Sequence, residues 1–118
     1  MINGYRDLIV WQKAMDLVDE TYKIIRSLPS EERFVLSDQM RRSAISIPSN
    51  IAEGYERKSK KEFSQFLSIA KSSRAEPETQ LYICIRQNYI TRNQADKAFG
   101  LCDEIGRILN TFINKINS

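Results

Sequence analysis

The sequence has 118 residues and contains no histidine. Histidine is the usual general base and the usual transition-metal ligand, so its absence removes Ser–His and Cys–His nucleophile pairs. The Glu-x-x-His pairs of a di-iron bundle cannot form, and a helical ribonuclease that relies on a catalytic histidine is excluded. The four glycines are scattered, so neither GxxxxGKS/T nor GxGxxG is present. We therefore expect no metal and no cofactor.

Cysteine and long apolar runs are also scarce. The two cysteines, Cys84 and Cys102, fall in apolar stripes, which favours reduced, buried thiols over a disulfide or a reactive role. The longest early apolar run is Leu8–Trp11, with no basic segment followed by a long apolar core as in an export signal. A membrane-spanning helix needs about 20 apolar residues. We expect a cytoplasmic protein that does not interact with a membrane.

The charge balance is mildly basic. Eighteen basic and fifteen acidic side chains give a net charge of +3, which does not indicate nucleic-acid binding by itself. Residues 1–58 carry nine of each sign, whereas residues 59–118 carry nine basic and six acidic groups. The densest basic run is the candidate nucleic-acid-binding site: Arg57, Lys58, Lys60 and Lys61. The alternative is an ordinary solvated turn, and the aromatic residues that could add base stacking are more often core residues: Tyr55, Phe63 and Tyr89.

Apolar residues recur every three or four positions along almost the whole chain, which predicts helices. The first helix should span about Asp7 to Ser27, and Pro29 should end it. Its predicted buried seam is Leu8, Trp11, Met15, Val18, Tyr22 and Ile25. No segment alternates with the period of a strand. The connections are short, so consecutive helices should be antiparallel. The expected fold is all-α, an antiparallel up-down-up-down four-helix bundle that forms one domain over residues 1–118.

Capping signals place the other helices. Ser30 is the predicted N-cap of the second helix, which should continue to about Gly54. Ser59 and Glu62 form the pattern of a capping box at the start of the third helix, and Asn88 should end it. The same signal opens the fourth helix at Thr91 and Gln94. The predicted core positions of the last two helices are Phe63, Phe66, Ala70, Pro77, Leu81, Cys84, Ala95, Ala98, Cys102, Ile105, Leu109, Phe112 and Ile116.

Two stripes run side by side along the second helix. One is apolar and should face the core: Leu36, Met40, Ala44, Ile47 and Ile51. The other is polar: Ser43, Ser46, Asn50, Glu53 and Arg57. Buried polar groups need partners, so we expect another helix or another subunit to meet the polar stripe. Pro48 lies in the middle of this segment and should bend the helix rather than break it.

The remaining candidates for chemistry are carboxylates. Glu53 could face Glu76, which has Gln80 one turn later, and two such carboxylates could share a proton or hold Mg²⁺. The more economical interpretation is structural, because carboxylates at such positions usually pair with arginine, and three are available: Arg42, Arg57 and Arg74. We therefore expect a protein that is not an enzyme, in which Glu76 and Gln80 join the polar stripe as structural or oligomer-forming residues.

Three segments resemble a known family: YRDLIVWQKA (residues 5–14), SIPSNIAEGYERKSKKEF (residues 46–63) and ETQL (residues 78–81). The chain is similar to the 23S rRNA intervening-sequence proteins, four-helix bundles that include the accessory variability proteins of diversity-generating retroelements. The resemblance implies assembly into rings of five and a partner such as RNA, DNA or a reverse transcriptase. Pro77 departs from the family pattern, since an apolar helix former is expected there, and it puts a straight third helix in doubt.

These observations favour a non-enzymatic interaction module, a homopentamer with a basic surface for nucleic acid or a nucleic-acid enzyme. The alternative is a structural or protein-binding scaffold without affinity for nucleic acid. An enzyme that uses Glu53 and Glu76 is the third possibility.

Overall fold

A computed structural model describes residues 2–118, which contain five α-helices and no strand. The helices are α1 (Ile9–Ile25), α2 (Leu36–Tyr55), α3 (Lys60–Ser73), α4 (Ala75–Arg86) and α5 (Arg92–Asn117). Two short 3-10 turns, Tyr5–Asp7 and Ser30–Glu32, precede α1 and α2. Helices α1, α2 and α5 each form one arm of the bundle, and α3 and α4 together form the remaining arm, which is the third along the chain. Four arms result, as the sequence predicts.

The four arms form a closed, elongated bundle of 44 × 24 × 22 Å. Helix α1 packs against α2 and α5, and the third arm also packs against α2 and α5. Since short turns join neighbouring arms, their directions alternate up and down. The core is mainly apolar, and its fully buried large side chains include Leu17, Met40, Ile51, Leu67 and Ile105.

The apolar stripe of α2 is buried as predicted: Leu36, Met40, Ala44, Ile47 and Ile51. Helix α2 continues through Pro48, which is itself buried, so the proline does not break it. Gly54 lies at the end of this helix, where α3 approaches closely. A Cβ at Gly54 would lie 2.6 Å from Cβ of Phe66 and 3.2 Å from Cδ1 of Phe63. The absence of a side chain at Gly54 therefore permits this helix contact.

The third arm is interrupted at Arg74, three residues before Pro77. Proline has no N–H to donate to the carbonyl of Ser73, and its ring crowds that carbonyl. In the structure Pro77 lies in the first turn of α4, where the missing N–H costs no helical hydrogen bond. The departure from a straight third helix is thus confirmed, and it has a local cause.

The end of the third arm and the start of α5 follow their sequence signals. Asn88 adopts a positive φ of 64°, the left-handed conformation that ends many helices. Thr91 and Gln94 form a complete capping box, in which the Thr91 hydroxyl accepts from the Gln94 N–H at 3.1 Å and the Gln94 side chain accepts from the Thr91 N–H at 2.8 Å. At Ser59 only half of the box forms. Its hydroxyl accepts from the Glu62 N–H, and the Glu62 carboxylate contacts that hydroxyl instead of the backbone.

The predicted start of the second helix is wrong. Ser30 caps no helix by its side chain, and α2 begins six residues later at Leu36. The intervening residues form consecutive turns, with Arg33 N–H donating to the Ser30 carbonyl and Val35 N–H to the Glu32 carbonyl. The carboxylate of Glu32 accepts a 2.7 Å hydrogen bond from the hydroxyl of Tyr89. This contact ties the α1–α2 connection to the α4–α5 connection.

The predicted seam of α1 is correct at Leu8, which is buried, but within the helix the most buried face is rotated by about one residue from the predicted one. The buried positions are Val10, Ala14, Leu17, Thr21 and Ile24. Met15 and Tyr22 of the predicted seam are 38% and 37% exposed. Glu20 is buried because it lies against α5 and pairs with Lys97 at 3.5 Å and with Lys23 at 3.4 Å. Contacts with both α2 and α5 therefore determine which face of α1 is inside.

Candidate nucleic-acid interface and polar groove

The α2–α3 turn carries the predicted basic cluster at one end of the bundle. All four of its cations are exposed: Arg57, Lys58, Lys60 and Lys61. Arg57 follows α2 directly, while Lys60 and Lys61 begin α3, so the short turn brings the ends of two helices and their charges together. The structure thus unites these four residues on one accessible edge.

Arg57 differs from the three lysines in its contacts. Its guanidinium lies 2.9 Å from the Glu53 carboxylate and 3.8 Å from that of Glu62, and it stacks 4.9 Å above the ring centroid of Phe66. Arg57 therefore joins the end of α2 to α3. None of the lysines has a carboxylate within ion-pair distance in the described chain. Lys58, Lys60 and Lys61 are consequently the available cations of the turn.

The local excess of positive charge is small. Residues 53–62 carry four basic and three acidic side chains, so the net charge of the segment is +1. Glu53 and Glu62 are both directed to Arg57, which leaves Glu56 as the remaining acidic neighbour of the lysines. One turn alone is therefore a weak electrostatic site, and strong binding would need several copies of it.

The aromatic residues near this turn are packed and cannot serve freely as stacking platforms. Phe63 makes edge-to-face contacts with Tyr55 and Phe112, with ring centroids 5.9 Å and 5.3 Å apart. Tyr89 is at the opposite end of α2, next to Glu32. A helix of 20 residues is about 30 Å long, so the expectation that Tyr89 lies near the basic cluster is wrong.

The polar stripe meets the third arm in a shallow groove between α2 and α4. The groove has a volume of about 270 Å³ and is lined by Gln39, Arg42, Ser43, Ser46, Glu76 and Gln80. Its central contact is a buried hydrogen bond of 2.6 Å from the Ser43 hydroxyl to Oε1 of Gln80. The structure therefore brings together four of the predicted polar residues from two helices.

The other polar groups of the stripe are satisfied within α2. Ser46 donates to the Ser43 carbonyl at 2.7 Å, and the amide of Asn50 donates to the Ser46 carbonyl at 2.7 Å. Since these hydrogen bonds are made inside the subunit, the stripe does not need a second subunit to satisfy its polar groups. The sequence predicted a covering helix or subunit because unpartnered polar groups are costly to bury. That reason no longer applies to a second subunit.

Within the subunit, Glu53 is not part of a buried network. Its side chain is 55% exposed and forms a surface ion pair with Arg57. Glu76 lines the groove, and Glu53 does not. Seven residues of helix, about 10 Å, separate Ser46 in the groove from Glu53. The geometry therefore does not assemble the two carboxylates into a proton-sharing or Mg²⁺ site, and no cluster of three or more potential metal ligands occurs within residues 2–118.

Two of the three arginines have partners that the sequence did not suggest. Arg42 pairs with Asp38 at 3.3 Å, and Arg74 donates from Nη1 to the Glu78 carboxylate and the Cys102 carbonyl, both at 3.3 Å. The guanidinium of Arg74 rests against Gly106, where a Cβ would collide with it. Only Arg57 pairs with its expected carboxylate. The contact of Arg74 with the Cys102 carbonyl could not be read from the sequence, because it depends on the packing of α5 against a residue 28 positions earlier.

Both cysteines are free and buried, as predicted. Burial raises the pKa of the Cys84 thiol to about 11, with a smaller contribution from the negative charge of Glu32. Burial likewise raises the pKa of the Cys102 thiol to about 12. Thiolates are scarce at neutral pH under these conditions, which fits packing rather than reactivity. The hydrogen bond to Glu32 raises the pKa of Tyr89 to about 12, so this phenol remains a donor.

The geometry describes an all-α bundle with a solvent-exposed basic turn and a hydrogen-bonded polar groove. None of the helices in residues 2–118 combines the length and apolar character required to cross a membrane. The model of the 23S rRNA-intervening sequence protein family matches residues 6–111. The chain belongs to this family, which confirms the resemblance found in the sequence.

One solved structure gives an independent comparison. It is the crystal structure of a protein of unknown function from the S23 ribosomal protein family of Bacteroides thetaiotaomicron. The two chains are 32% identical and superpose with a TM-score of 0.80, and the match covers 89% of this chain and 98% of the other. No curated protein matches the chain.

Proposed function

We propose that this protein is a non-enzymatic interaction module that self-associates and binds nucleic-acid backbone through Lys58, Lys60 and Lys61. The observation that carries the proposal is that these three ammonium groups are exposed and unpaired on one edge, while Arg57 engages two of the neighbouring carboxylates. Membership in a family named for an insertion in 23S rRNA supports RNA as the first ligand to test.

Self-association would compensate for the weakness of a single turn. A net charge of +1 over residues 53–62 gives little affinity, whereas a ring of five subunits would present fifteen lysines to one ligand. A homopentamer is the assembly that we propose. The contact should favour the phosphate backbone and the shape of the nucleic acid, because the turn presents no side chains arranged to read base edges. DNA, or an enzyme bound to nucleic acid such as a reverse transcriptase, could occupy the same surface. Free buried thiols fit a cytoplasmic location.

The direct test is a salt titration of the affinity for structured RNA, measured by fluorescence anisotropy. Each neutralised phosphate contributes roughly 0.7 to 0.9 to the slope of log affinity against log salt. Lys58→Gln, Lys60→Gln and Lys61→Gln combined should therefore lower the slope by about 2 to 3 for each protomer in contact. The loss should be similar for different RNA sequences.

A matched control removes the same charge elsewhere. Lys23→Gln, Arg26→Gln and Arg86→Gln change three exposed cations near the other end of the bundle; Lys23 pairs with Glu20, which retains Lys97 as a partner in this variant. This control should leave the slope nearly unchanged. Equal losses in both triple variants would indicate an effect of net charge alone, and an unchanged affinity in the first variant would reject the turn as the binding site.

A protein-binding scaffold is the second candidate. It is favoured by large apolar side chains exposed at several places, among them Phe34, Ile69 and Tyr82. A parent protein that self-associates but binds no RNA or DNA at low salt would support the scaffold and reject the nucleic-acid module.

A further inference from the structure

Arg74, at the break of the third arm, has donors that the subunit does not use. Nη1 of its guanidinium donates to the Glu78 carboxylate and to the Cys102 carbonyl, both at 3.3 Å. Nε is the one fully buried side-chain nitrogen or oxygen of residues 2–118 that lacks a hydrogen-bond partner. Nη2 makes no hydrogen bond within these residues either, and it is not fully buried. An accessible donor of this guanidinium is therefore free.

The two unpartnered nitrogens share one edge of the guanidinium. The N–H bond of Nε and one N–H bond of Nη2 are parallel, and arginine uses such an edge to bind two oxygens of a phosphate or a carboxylate. Buried donors without a partner are rare in folded proteins. Since Nε lies below the surface, an anion that approaches this edge of Arg74 meets Nη2 first.

Arg74 lines an open groove between the end of α3 and the middle of α5. The groove has a volume of about 340 Å³, and its walls are formed by Lys71, Arg74, Asp103, Gly106, Arg107 and Asn110. Lys71 reaches across from α3 and donates to Oδ1 of Asn110 at 2.9 Å. The missing side chain of Gly106 makes room for the Arg74 guanidinium. The Arg74 groove, as we call it, thus collects cations from two arms of the bundle.

The Arg74 groove is positive after its carboxylates are counted. Lys71, Arg74 and Arg107 against Asp103 give its lining a net charge of +2. Glu78 lies in the adjoining groove, where it pairs with Nη1 of Arg74, and the net charge is +1 when it is included. Neither Lys71 nor Arg107 has a carboxylate within ion-pair distance in the described part of the chain. The positive charge is therefore available to a ligand.

We propose that the Arg74 groove binds a phosphate group, with Nη2 of Arg74, Arg107 and Lys71 as its donors. A phosphate group carries a charge of about −1.5 to −2 at neutral pH and three acceptor oxygens, enough for donors that come from two directions. Eleven residues of helix, about 16 Å, separate Lys71 from Lys60 in the basic turn. The Arg74 groove is thus a second site, and the inference does not depend on nucleic-acid binding by the turn.

A titration with inorganic phosphate at constant ionic strength tests the site. In ¹⁵N-labelled protein, the Nε–H signals of Arg74 and Arg107 should shift with one saturable curve. Arg107→Gln should weaken phosphate binding roughly threefold to fivefold, the range for an exposed charge. The fold should be kept, because Arg107 is exposed and has no ion-pair partner within residues 2–118. Arg86→Gln is the matched control, since it removes an exposed cation of α4 outside the groove and should leave the affinity unchanged.

A second variant moves Arg74 without changing any charge. In Gly106→Ala the new Cβ would collide with the guanidinium, which is the far end of a flexible side chain, so the arginine must shift while the helices stay in place. Phosphate binding should weaken at least as much as in Arg107→Gln. Gly100→Ala, on the same helix, is the control because a Cβ there meets nothing within 4 Å. Circular dichroism would verify that all variants are folded.

The outcomes are distinct. No saturable shift at Arg74, equal losses in Arg107→Gln and Arg86→Gln, or equal affinities of Gly106→Ala and Gly100→Ala would each overturn the site. A specific loss in Arg107→Gln and Gly106→Ala supports it.

A parallel titration with a short oligoribonucleotide identifies the source of the phosphate. Shifts at Arg74 that inorganic phosphate reverses would assign the site to a nucleic-acid backbone, and shifts with inorganic phosphate alone would assign it to a small phosphate compound. The combined Lys58→Gln, Lys60→Gln and Lys61→Gln variant should retain its affinity for inorganic phosphate. A failure of the basic turn to bind RNA would therefore leave this site intact, and the reverse also holds.

Discussion

Gly54→Ala tests a close approach between helices α2 and α3. The added Cβ would lie 2.6 Å from Cβ of Phe66. That atom is fixed to the backbone of α3, so a rotamer change cannot relieve the clash and the helices must separate. Overpacking of this kind typically costs about 1 to 3 kcal/mol.

The clash opposes the stability that alanine gains over glycine from its higher helix propensity. Gly54 has no positive φ, and alanine in a helix is favoured over glycine by about 1 kcal/mol. The net effect on the free energy of unfolding should therefore be a loss of roughly 0 to 2 kcal/mol. Gly100→Ala is the matched control, because Gly100 is exposed within α5 and a Cβ there would meet nothing within 4 Å. That variant should gain up to about 1 kcal/mol.

The difference between the two variants isolates the steric cost, and it should be about 1 to 3 kcal/mol. Urea unfolding followed by circular dichroism at equal protomer concentrations would measure it, with m-values used to check that the unfolding reaction is the same. If Gly54→Ala stabilised the protein as much as Gly100→Ala does, helices α2 and α3 would not be in close contact at this position.

Two further predictions concern charged and titrating groups. Glu53→Gln should change the free energy of unfolding by no more than about 1 kcal/mol in a urea titration, because a half-exposed ion pair contributes little. A loss of 3 kcal/mol or more would mean that Glu53 is buried in an assembly. Stability should fall as pH rises above about 9, since thiols in the unfolded chain deprotonate near their ordinary pKa whereas Cys84 and Cys102 hold their protons to about 11 and 12. Each thiol contributes about 1.4 kcal/mol per pH unit to this fall in the free energy of unfolding. Cys84→Ala or Cys102→Ala should remove the contribution of that thiol. An unchanged slope of the free energy against pH would contradict the burial of that thiol.

The buried positions were predicted best in helices whose apolar residues form one narrow stripe. In α2 and α5 the apolar residues form a single stripe, so the core positions were correct from Leu36 to Ile51 and from Ala95 to Leu109. Helix α1 has apolar residues over a wider arc, and the large side chains of Trp11, Met15 and Tyr22 suggested the wrong part of it. The buried face contains the small Ala14 and the polar Thr21, whose hydroxyl donates to the Leu17 carbonyl at 2.8 Å. Hydrophobic periodicity cannot detect such a face.

Local signals also failed where a tertiary contact competes with them. Ser30 followed by two glutamates is a good helix start by its local chemistry. In the folded chain Glu32 instead accepts from Tyr89, 57 residues away, and the turn containing Ser30 leads into the exposed Phe34. The pair formed by Ser43 and Gln80 illustrates the same limit. Both residues were expected on the polar stripe, but their mutual hydrogen bond depends on the alignment of α2 with α4.

The structure changes the physical basis for expecting self-association. A polar stripe requires a partner only if burial leaves its donors and acceptors unsatisfied, and Ser43, Ser46 and Asn50 make their hydrogen bonds within the subunit. Water can therefore cover that face at little cost. Full burial of an exposed phenylalanine, in contrast, stabilises an interface by about 1.5 to 3 kcal/mol, and this gain is absent in the isolated subunit. The driving force for assembly should consequently reside at exposed apolar side chains such as Phe34 rather than along the serine-rich side of α2.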